Sequence, residues 1–374
     1  MGPPGPDIPG EYAGGSVSAL EAIAAATTAP DLGDVRVEKL GPETSAAWDH
    51  FATRCSEATF FHLAGWREVI ERAFGHPTHY LLARSGHTVR GVLPLSQIKS
   101  RLFGNSLISS PFCVYGGIAA SDEQARDALA SAARKLAEQL QVSYLELRNL
   151  TEQQHDWPTK DLYVTFRKPI AANTDANLKA IPRKQRAMVR KGVQAGLQAE
   201  IDTGIDRVYA MYSESVRNLG TPVFPKRYFE ILKEVFGRDC EVVTVSHQGT
   251  PVSAVMSFYF RDEVLPYYGG GTACARELKA NDFMYWQVMC RAAERGCRLF
   301  DYGRSKVGTG SYSFKKNWGF KPQPLHYRYH LVRAGKVPNV SPTNPRYRLF
   351  IQAWKRLPLP ISRALGPLLA RNLG

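Results

Sequence analysis

Asp301 is the carboxylate whose position in the sequence is most suited to chemistry. It lies in the segment 299–305, LFDYGRS, which predicts a strand. Active-site groups of open α/β sheets tend to lie at strand ends, where this carboxylate can orient an amine or accept its proton. Alternatively, Asp301 is a turn residue at the end of a strand. Glu146 takes the corresponding position in an earlier segment, where an ion pair with Arg148 is the favoured interpretation.

Basic side chains that could bind an anion lie in an earlier helical segment and directly after Asp301. A helix is expected over 183–195, after a break at Pro182, and positions 183, 186 and 190 share one of its faces. Because arginine can clamp a phosphate through two hydrogen bonds, we predict an anionic substrate. The predicted substrate-binding residues are Arg183, Lys184, Arg186, Arg190, Arg304, Lys306 and Tyr268. The alternatives are a merely solvated helix face and, for the tyrosine, a packing role.

The sequence offers no convincing nucleophile and no metal site. It lacks a G-x-S-x-G motif, and its six cysteines are scattered without a CxxC pair: Cys55, Cys113, Cys240, Cys274, Cys290 and Cys297. This pattern predicts neither a zinc site nor a disulfide framework and is typical of a reducing compartment. We therefore expect chemistry by positioning, without a covalent intermediate and without a tightly bound cofactor.

Composition and length predict a globular protein with two domains. The chain has 374 residues, of which 44% are hydrophobic and 22% charged. Residues 1–33 are rich in Pro, Gly, Ala and Thr and are expected to be a disordered leader. The sequence shows neither a signal peptide nor a run of about 18 apolar residues. The expected location is therefore the cytoplasm, with peripheral attachment to the inner face of the membrane as an extension.

The two halves of the chain carry the same order of elements, which predicts an internal duplication. Segments 59–76 and 221–238 share an apolar spacing of four and four, typical of one helix face, and a glycine follows at the same offset. The apolar residues are Trp66, Ile70 and Phe74 in the first copy and Tyr228, Leu232 and Phe236 in the second.

A hairpin, a strand that runs into glycines, a helix and a strand follow in both copies. The paired segments are 79–98 and 241–260, 114–117 and 267–270, 125–140 and 282–296, and 144–149 and 299–305. Such segments suit mixed sheets flanked by helices. The predicted division is a leader over 1–33, a first domain over 34–168, a second domain with a basic entry helix over 169–335, and a tail over 336–374.

The repeated unit has the order of elements found in GNAT-type acyltransferase domains. As a tandem pair, the chain resembles the FemAB family, bacterial enzymes that transfer amino acids from aminoacyl-tRNA to peptidoglycan precursors. The resemblance covers roughly 35–335 and is closest to FemAB-related proteins associated with exosortase and exopolysaccharide loci. It is carried by IPRKQRAMVRKG (181–192) and LFDYGRSKVGTGSYSFKKNWGF (299–320). It implies an α/β fold with mixed sheets in tandem GNAT-like domains.

The resemblance also implies a catalytic lysine. Phe314-Lys315 matches the Phe-Lys pair that places a lysine near the reacting carbonyl in FemAB enzymes, with Lys316 as its substitute. A lysine there would stabilise a negative tetrahedral centre or a leaving 3′-oxygen. The alternative is a solvated strand face. Trp318 and Phe320 are expected in the core.

The expected function is transfer of an acyl or aminoacyl group to an amine of an exopolysaccharide or peptidoglycan precursor, by direct attack in a ternary complex. The donor stays open between acyl-CoA and aminoacyl-tRNA. Segment 269–282 does not match the Q/R-x-x-G-x-G/A phosphate loop of the acyl-CoA branch, and no heptad run suggests the helical arm that grips tRNA. The expected partners are a phosphate-bearing envelope precursor and, with that donor, tRNA. Two alternatives are an acyl-CoA-dependent amino-sugar N-acetyltransferase and a catalytically silent RNA- or membrane-binding module.

Positive charge is concentrated in the last fifth of the chain. Asp301 is the last acid, and the fourteen Lys and Arg that follow it equal the formal net charge of +14. Such a stretch attracts an anionic partner. The tail over 344–374 mixes these bases with large apolar residues and is divided by Pro358, Pro360 and Pro367, which predicts short helices on an anionic membrane surface. Docking on the protein's own surface and a purely solubilising role are the alternatives.

Overall fold

The computed structural model describes residues 34–100, 104–153, 157–160, 162–338 and 345–373. The predicted disordered leader lies outside the described residues. Eleven α-helices are present in these ranges: α1 (Ser45–Arg54), α2 (Gly65–Phe74), α3 (Glu123–Gln139), α4 (Thr174–Ala180), α5 (Arg183–Gln194), α6 (Asp206–Leu219), α7 (Lys226–Phe236), α8 (Ala280–Glu294), α9 (Gly310–Asn317), α10 (Pro345–Lys355) and α11 (Leu359–Ala370). None of them combines the length and the apolar character needed to cross a bilayer.

The strands of the described residues form three sheets flanked by these helices, which confirms the predicted α/β fold class. In chain order they are β1 (Arg36–Lys39), β2 (Leu81–Ser85), β3 (Thr88–Leu93), β4 (Leu95–Ser100), β5 (Gly104–Ser109), β6 (Ala119–Ala120), β7 (Tyr144–Asn149), β8 (Thr159–Lys160), β9 (Tyr163–Pro169), β10 (Gln198–Asp202), β11 (Cys240–His247), β12 (Thr250–Phe260), β13 (Glu263–Gly271), β14 (Leu299–Asp301), β15 (Ser305–Lys306), β16 (Pro322–Pro324) and β17 (His326–Leu331).

Two sheets belong mainly to the first copy and one to the second. The order in the first copy is β1-β2-β3-β6 in one sheet and β4-β5-β7-β17-β8 in the other. The second copy forms an eight-stranded sheet in the order β10-β11-β12-β13-β14-β9-β15, with β16 paired to β9. Most neighbours are antiparallel, but β5 with β7 and β13 with β14 are parallel. The sheets are therefore mixed, as predicted.

The two copies exchange strands across the predicted domain boundary. β9 precedes residue 170 in the chain but lies in the sheet of the second copy, antiparallel to β14, β15 and β16. In return, β17 follows the second copy and pairs antiparallel with β7 and β8 of the first copy. The predicted domain boundary between residues 168 and 169 therefore assigns most of β9 to the first domain, although β9 is hydrogen-bonded in the sheet of the second. It likewise assigns β17 to the second domain, although β17 is hydrogen-bonded in a sheet of the first.

The duplicated helices pack against each other at the contact between the copies. α2 and α7 are neighbours, and their apolar faces meet in one aromatic core. Phe60, just before α2, stacks on Phe258 of β12 with ring centres 4.5 Å apart. At the surface, Arg72 of α2 donates to Glu234 of α7 at 2.7 Å. Arg72 and Glu234 are 162 positions apart, the same offset that aligns the two helices in sequence.

The three consecutive glycines at the end of β13 are strand residues rather than a flexible turn. Gly269, Gly270 and Gly271 pair with Val255, Ala254 and Ser253 of β12, in that order. α6 packs directly over them, and a Cβ atom on Gly270 would collide with the backbone carbonyl of Met211 in α6. Only glycine therefore permits this close approach of helix and strand.

We predict that Gly270→Ala lowers the free energy of unfolding by about 1–3 kcal/mol, because the added methyl group must displace α6 backbone. Urea denaturation measures this change. Gly204→Ala is the matched control, since a Cβ there meets no atom within 4 Å. Equal stabilities of the two variants would contradict the proposed packing.

Candidate active site

The candidate site lies where β13 and β14 separate. These two parallel strands are paired only at Glu263 with Leu299 and at Val264 with Phe300. β13 then continues along β12 as far as Gly271, whereas β14 ends at Asp301 and the chain turns through Gly303 in the left-handed region, with φ of 65°. The strands therefore diverge, and the turn after Asp301 lies at the divergence.

Asp301 is held inside the protein by donors from several elements. Tyr115 Oη donates to Oδ1 at 3.1 Å and the Gly303 backbone N–H does so at 2.6 Å. Thr165 Oγ1 lies 3.5 Å from the same oxygen, and Arg167 Nε donates to Oδ2 at 3.1 Å. Burial raises the pKa of the Asp301 carboxyl, and the neighbouring arginine opposes this shift.

The side chain of Asp301 has no exposed surface. Its carboxylate oxygens accept hydrogen bonds from the protein itself, so the carboxylate holds the turn in place instead of presenting an oxygen to an amine. The contacts of Asp301 therefore position the turn, and its role as a proton acceptor stays a prediction. The physical reason is that a buried charge must be compensated locally, and these donors do so.

Lys315 lies on helix α9, not on a strand, and is 9% exposed. The side chain of Thr309 accepts a hydrogen bond from the N–H of Tyr312 and thereby caps the helix. Lys315 Nζ donates to the carbonyl oxygens of Gly303 at 2.9 Å and of Arg304 at 3.1 Å. Lys315 is thus bound to the same turn that Asp301 holds.

Burial and one of the neighbouring charges shift the pKa of Lys315 in opposite directions. Burial lowers the pKa of its ammonium to about 7, Asp301 acts in the opposite direction, and Arg304 lowers the pKa further. An ammonium group has three hydrogens, and the two carbonyls account for two of them. The third can be donated to an oxygen of a bound substrate.

Lys316 is separated from this arrangement. Its side chain is exposed, and Nζ lies 5.6 Å from the centre of the Tyr312 ring. Because neighbouring residues on a helix point in different directions, Lys316 cannot replace Lys315 at the turn without a change of the helix. The predicted substitute is therefore not part of the same cluster.

Arg304 contributes to the site through protein contacts. Its Nη1 donates to Tyr327 Oη at 3.0 Å, and its guanidinium lies 4.5 Å from the centre of the Tyr163 ring. Tyr327 in turn donates to the carbonyl of Val114 at 2.6 Å. Lys306 is half-buried in β15. Both exchanged strands and the first copy thus meet the turn that follows Asp301.

The basic helix α5 begins beside the end of α9. A Cβ atom on Gly319 would lie 3.1 Å from Pro182, the residue that precedes α5. Within α5, Gln185 donates to Asp282 of α8, and Trp318 Nε1 donates to the same carboxylate oxygen at 3.1 Å. Basic residues occupy much of the outward face of α5: Arg183, Lys184 and Arg190 are exposed and Arg186 is half-buried. The helix therefore presents positive charge near the lysine-bearing helix.

Two other residues singled out in the sequence lie in structural contacts. Tyr268 is buried in the aromatic core, with its hydroxyl 2.7 Å from that of Tyr228, so it has the packing role that was the alternative. Glu146 and Arg148 form a buried ion pair at 2.8 Å. Arg148 also donates to the carbonyl of Cys113 at 2.7 Å. Glu146, the third residue of β7, is thus engaged in structural contacts, as the favoured interpretation stated.

Sequence reasoning missed Tyr115, Thr165 and Arg167, which surround Asp301. The first lies in the loop after β5, and the other two alternate along β9. They meet Asp301 because β9 is exchanged into the sheet of the second copy. No local motif predicts these contacts, because the three residues are 134 to 186 positions away from Asp301 in the sequence.

Comparison with known proteins agrees with this architecture. Residues 178–316 match the family model of an acetyltransferase (GNAT) domain. No curated protein matches the chain by sequence. Among solved structures, FemX is 15% identical in sequence. The superposition covers 85% of this chain and 100% of the FemX chain, with a TM-score of 0.65.

Two further structures share the fold at similarly low identity. A tandem GNAT protein from the clavulanic acid biosynthesis pathway is 14% identical over 82% of this chain and 100% of its own, with a TM-score of 0.50. The C-terminal domain of a putative lysylphosphatidylglycerol synthetase from Agrobacterium fabrum is 13% identical over 78% and 92%, with a TM-score of 0.51.

Residues 178–316 therefore match an acetyltransferase (GNAT) domain, and the chain has the fold of tandem GNAT proteins. Within this class, the arrangement is similar to that of FemX, and the predicted resemblance to FemAB-type proteins is confirmed in the fold. The link to exosortase and exopolysaccharide loci stays a prediction.

The buried ammonium of Lys315 has a consequence for stability that needs no substrate. Its folded-state pKa is lowered to about 7 from an ordinary value of 10.5, so the unfolded chain binds more protons between these values. Stability therefore rises with pH across this window, and the penalty for burying the charge is complete below it. Lys315→Met removes the titrating group and its share of the pH dependence.

We expect the stability of Lys315→Met relative to wild type to be highest near pH 6.5 and to fall by roughly 3 kcal/mol by about pH 10. Urea denaturation at several pH values measures this difference. Lys316→Met is the control, because its side chain is exposed to water. A relative stability of Lys315→Met that does not change with pH would show that Lys315 is not buried as a titrating amine.

Proposed function

We propose that the protein transfers an acyl or aminoacyl group to an amine of a cell-envelope precursor, of the exopolysaccharide or peptidoglycan type, by direct attack in a ternary complex. The observation that carries this proposal is the buried Lys315 ammonium at the divergence of β13 and β14, held by two carbonyls instead of a carboxylate. The acetyltransferase domain matched over 178–316 supports the class of reaction.

The proposed chemistry follows from what an amine needs in order to attack an ester or thioester. The amine nitrogen forms a bond to the carbonyl carbon, and the carbonyl oxygen acquires negative charge in the tetrahedral centre. The third hydrogen of Lys315 is donated to that oxygen. When the centre collapses, the bond to the leaving oxygen or sulfur breaks, and the leaving group gains one proton while the amine loses one. A lysine whose pKa is about 7 can give its third proton to the leaving group near neutral pH and then regain one proton from the amine, so its own charge is restored.

Positioning residues keep Lys315 in place for this step. Its two carbonyl partners belong to the turn that the Asp301 carboxylate holds through the Gly303 N–H. Arg304, in the same turn, is fixed by Tyr327 and Tyr163. Held donors need no reorganisation during the reaction, which is the condition for effective stabilisation of an oxyanion.

For the donor, an observation at the start of α8 favours aminoacyl-tRNA. In GNAT domains that use acyl-CoA, the phosphate loop leads into the corresponding helix. Here the first turn of α8 contains the buried carboxylate of Asp282, bound by Gln185 and Trp318. This negative charge lies at the positive end of the helix and repels a further anion there. Acyl-CoA-dependent N-acetylation of an amino sugar is the second candidate, which the family match favours.

The basic face of α5 supports a phosphate-bearing substrate. Arg183, Lys184 and Arg190 are exposed, and the first turn of the helix contains no acid. Arginine side chains and the free N–H groups of a helix start both favour phosphate. We therefore propose that this face binds the pyrophosphate of a nucleotide- or lipid-linked acceptor, or the backbone of tRNA.

We predict that Lys315→Ala lowers the transfer rate at least about tenfold, because the oxyanion loses a charged donor. Mass spectrometry detects N-acylated product after incubation with aminoacyl-tRNA or acyl-CoA and an amine-bearing envelope precursor. Lys316→Ala is the matched control and should retain the wild-type rate. Full activity of Lys315→Ala would remove this residue from the mechanism.

The silent-module alternative makes a different prediction. RNA binding that weakens steeply with salt, that survives Lys315→Ala, and that is accompanied by no product with either donor would contradict the transferase proposal. Product with acyl-CoA but not with aminoacyl-tRNA would keep the proposal and select the second donor.

A further inference from the structure

Helix α11, near the C-terminus, packs on the rest of the protein through its small side chains. α11 faces the body of the protein with small residues, because Ser362, Gly366 and Ala370 are buried at spacing four and four. Gly366 lies against Val223, where a Cβ would come within 2.8 Å of a methyl group. The helix is thus held close to the body by its smallest side chains.

The large apolar residues of α11 point away from the body. Ile361, Leu365 and Leu368 are exposed, the last to 62%, at spacing four and three. Residues with that spacing share one face of a helix. In an ordinary surface helix the large apolar residues face the core and the polar residues face water. This helix has the opposite orientation, so its large apolar residues are partly exposed to water in the described chain.

Further large apolar residues are exposed on elements that, like α11, pack on or belong to α6. In α10, Leu349 is 78% exposed and Phe350 is 40% exposed, while the adjacent Trp354 is buried. α10 packs on the end of α6, where a Cβ on Gly220 would meet Ile351, and Leu219 beside it is exposed. We call this surface the apolar tail face; its members are Leu219, Leu349, Phe350, Ile361, Leu365 and Leu368.

Docking of the tail is specific and does not use the apolar tail face. Arg363 Nε donates to Ser213 Oγ of α6 at 2.9 Å, and Arg371 donates to the carbonyl of Phe74 at the end of α2 at 2.8 Å. The sequence-based alternative of docking on the protein's own surface is therefore what the structure shows. The same contacts fix the outward direction of the leucines.

The charges around the apolar tail face are of one sign. Residues 345–373 contain no Asp or Glu, and Arg348, Lys355 and Arg356 are exposed. An exposed apolar surface flanked by basic side chains matches a bilayer that contains anionic lipid, since leucines enter the acyl boundary while bases contact headgroups. A protein partner would need an apolar patch with acidic residues around it. An anionic bilayer has both an apolar interior and negative headgroups at every point of its surface, so it is the favoured partner.

We infer that the apolar tail face binds the surface of an anionic lipid bilayer. Helices α10 and α11 lie in the interface, with their leucines in the outer acyl region and the exposed bases at headgroup level. The inference rests on the exposed leucines, the docking contacts and the charge of the tail, and does not depend on the transfer reaction.

Sedimentation of the full chain with vesicles tests this inference. Wild type is expected to bind vesicles of equal parts phosphatidylcholine and phosphatidylglycerol at least about tenfold more tightly than vesicles of phosphatidylcholine alone. Leu365→Glu/Leu368→Glu should lose at least tenfold in affinity for the anionic vesicles. Val193→Glu, which changes an exposed valine on α5, is the matched control and should bind like wild type.

Several results would overturn the inference. They are absence of binding by wild type, equal binding by the double variant, and equal binding to both vesicle types. Self-association of wild type that the double variant abolishes in the absence of lipid would instead identify a second copy as the partner.

A second measurement covers the case in which the double variant is unstable. Leu368→Trp places an indole at an exposed position. Because the chain has six tryptophans of its own, the signal of the new indole is the difference between the spectra of the variant and of wild type. This difference should shift to shorter wavelength with anionic vesicles and be quenched by brominated phosphatidylglycerol. An unchanged spectrum would contradict insertion of this face.

Discussion

The buried carboxylate of Asp301 is the interaction on which the candidate site depends. A charge without contact to water must be compensated by nearby donors, and here the donors come from separate parts of the chain. Tyr115 belongs to the first copy, Arg167 to an exchanged strand, and the Gly303 N–H to the turn. Since that turn also supplies the two carbonyls that hold Lys315, the position of the lysine follows from the requirement to satisfy one buried charge.

The exchange of strands explains why a site on the second copy needs the first. β9 supplies Thr165 and Arg167 around Asp301 and the ring of Tyr163 against Arg304. β17 supplies the tyrosine hydroxyl that binds the same arginine. In the first copy, Glu146 takes the position that corresponds to Asp301 and forms an ion pair with Arg148 within β7. The duplication has therefore produced one cluster suited to chemistry and one suited to structure.

Periodic patterns in the sequence predicted most of the local structure. The apolar spacing of α2 and α7, the basic helix α5 and the strands β7 and β14 lie where predicted, because side-chain periodicity follows directly from burial of one face. The strand exchange escaped prediction, since hydrogen bonding between distant strands leaves no local pattern. The segment with Lys315 is a helix capped by Thr309, although a strand had been considered. The full burial of Asp301 also depends on the exchanged strand, so its positioning role could not be read from a strand-end motif.

The ion pair between Arg72 and Glu234 has a consequence for the symmetry of the molecule. These residues occupy equivalent positions in α2 and α7 and meet each other across the contact between the copies. In a dimer of two identical halves, a residue on the twofold axis would face itself, so arginine would oppose arginine or glutamate would oppose glutamate. A bridge of opposite charges at that place is available only to two unlike halves joined in one chain. The Arg72–Glu234 ion pair therefore favours contact between the two different halves of one chain over contact between two identical halves of different chains.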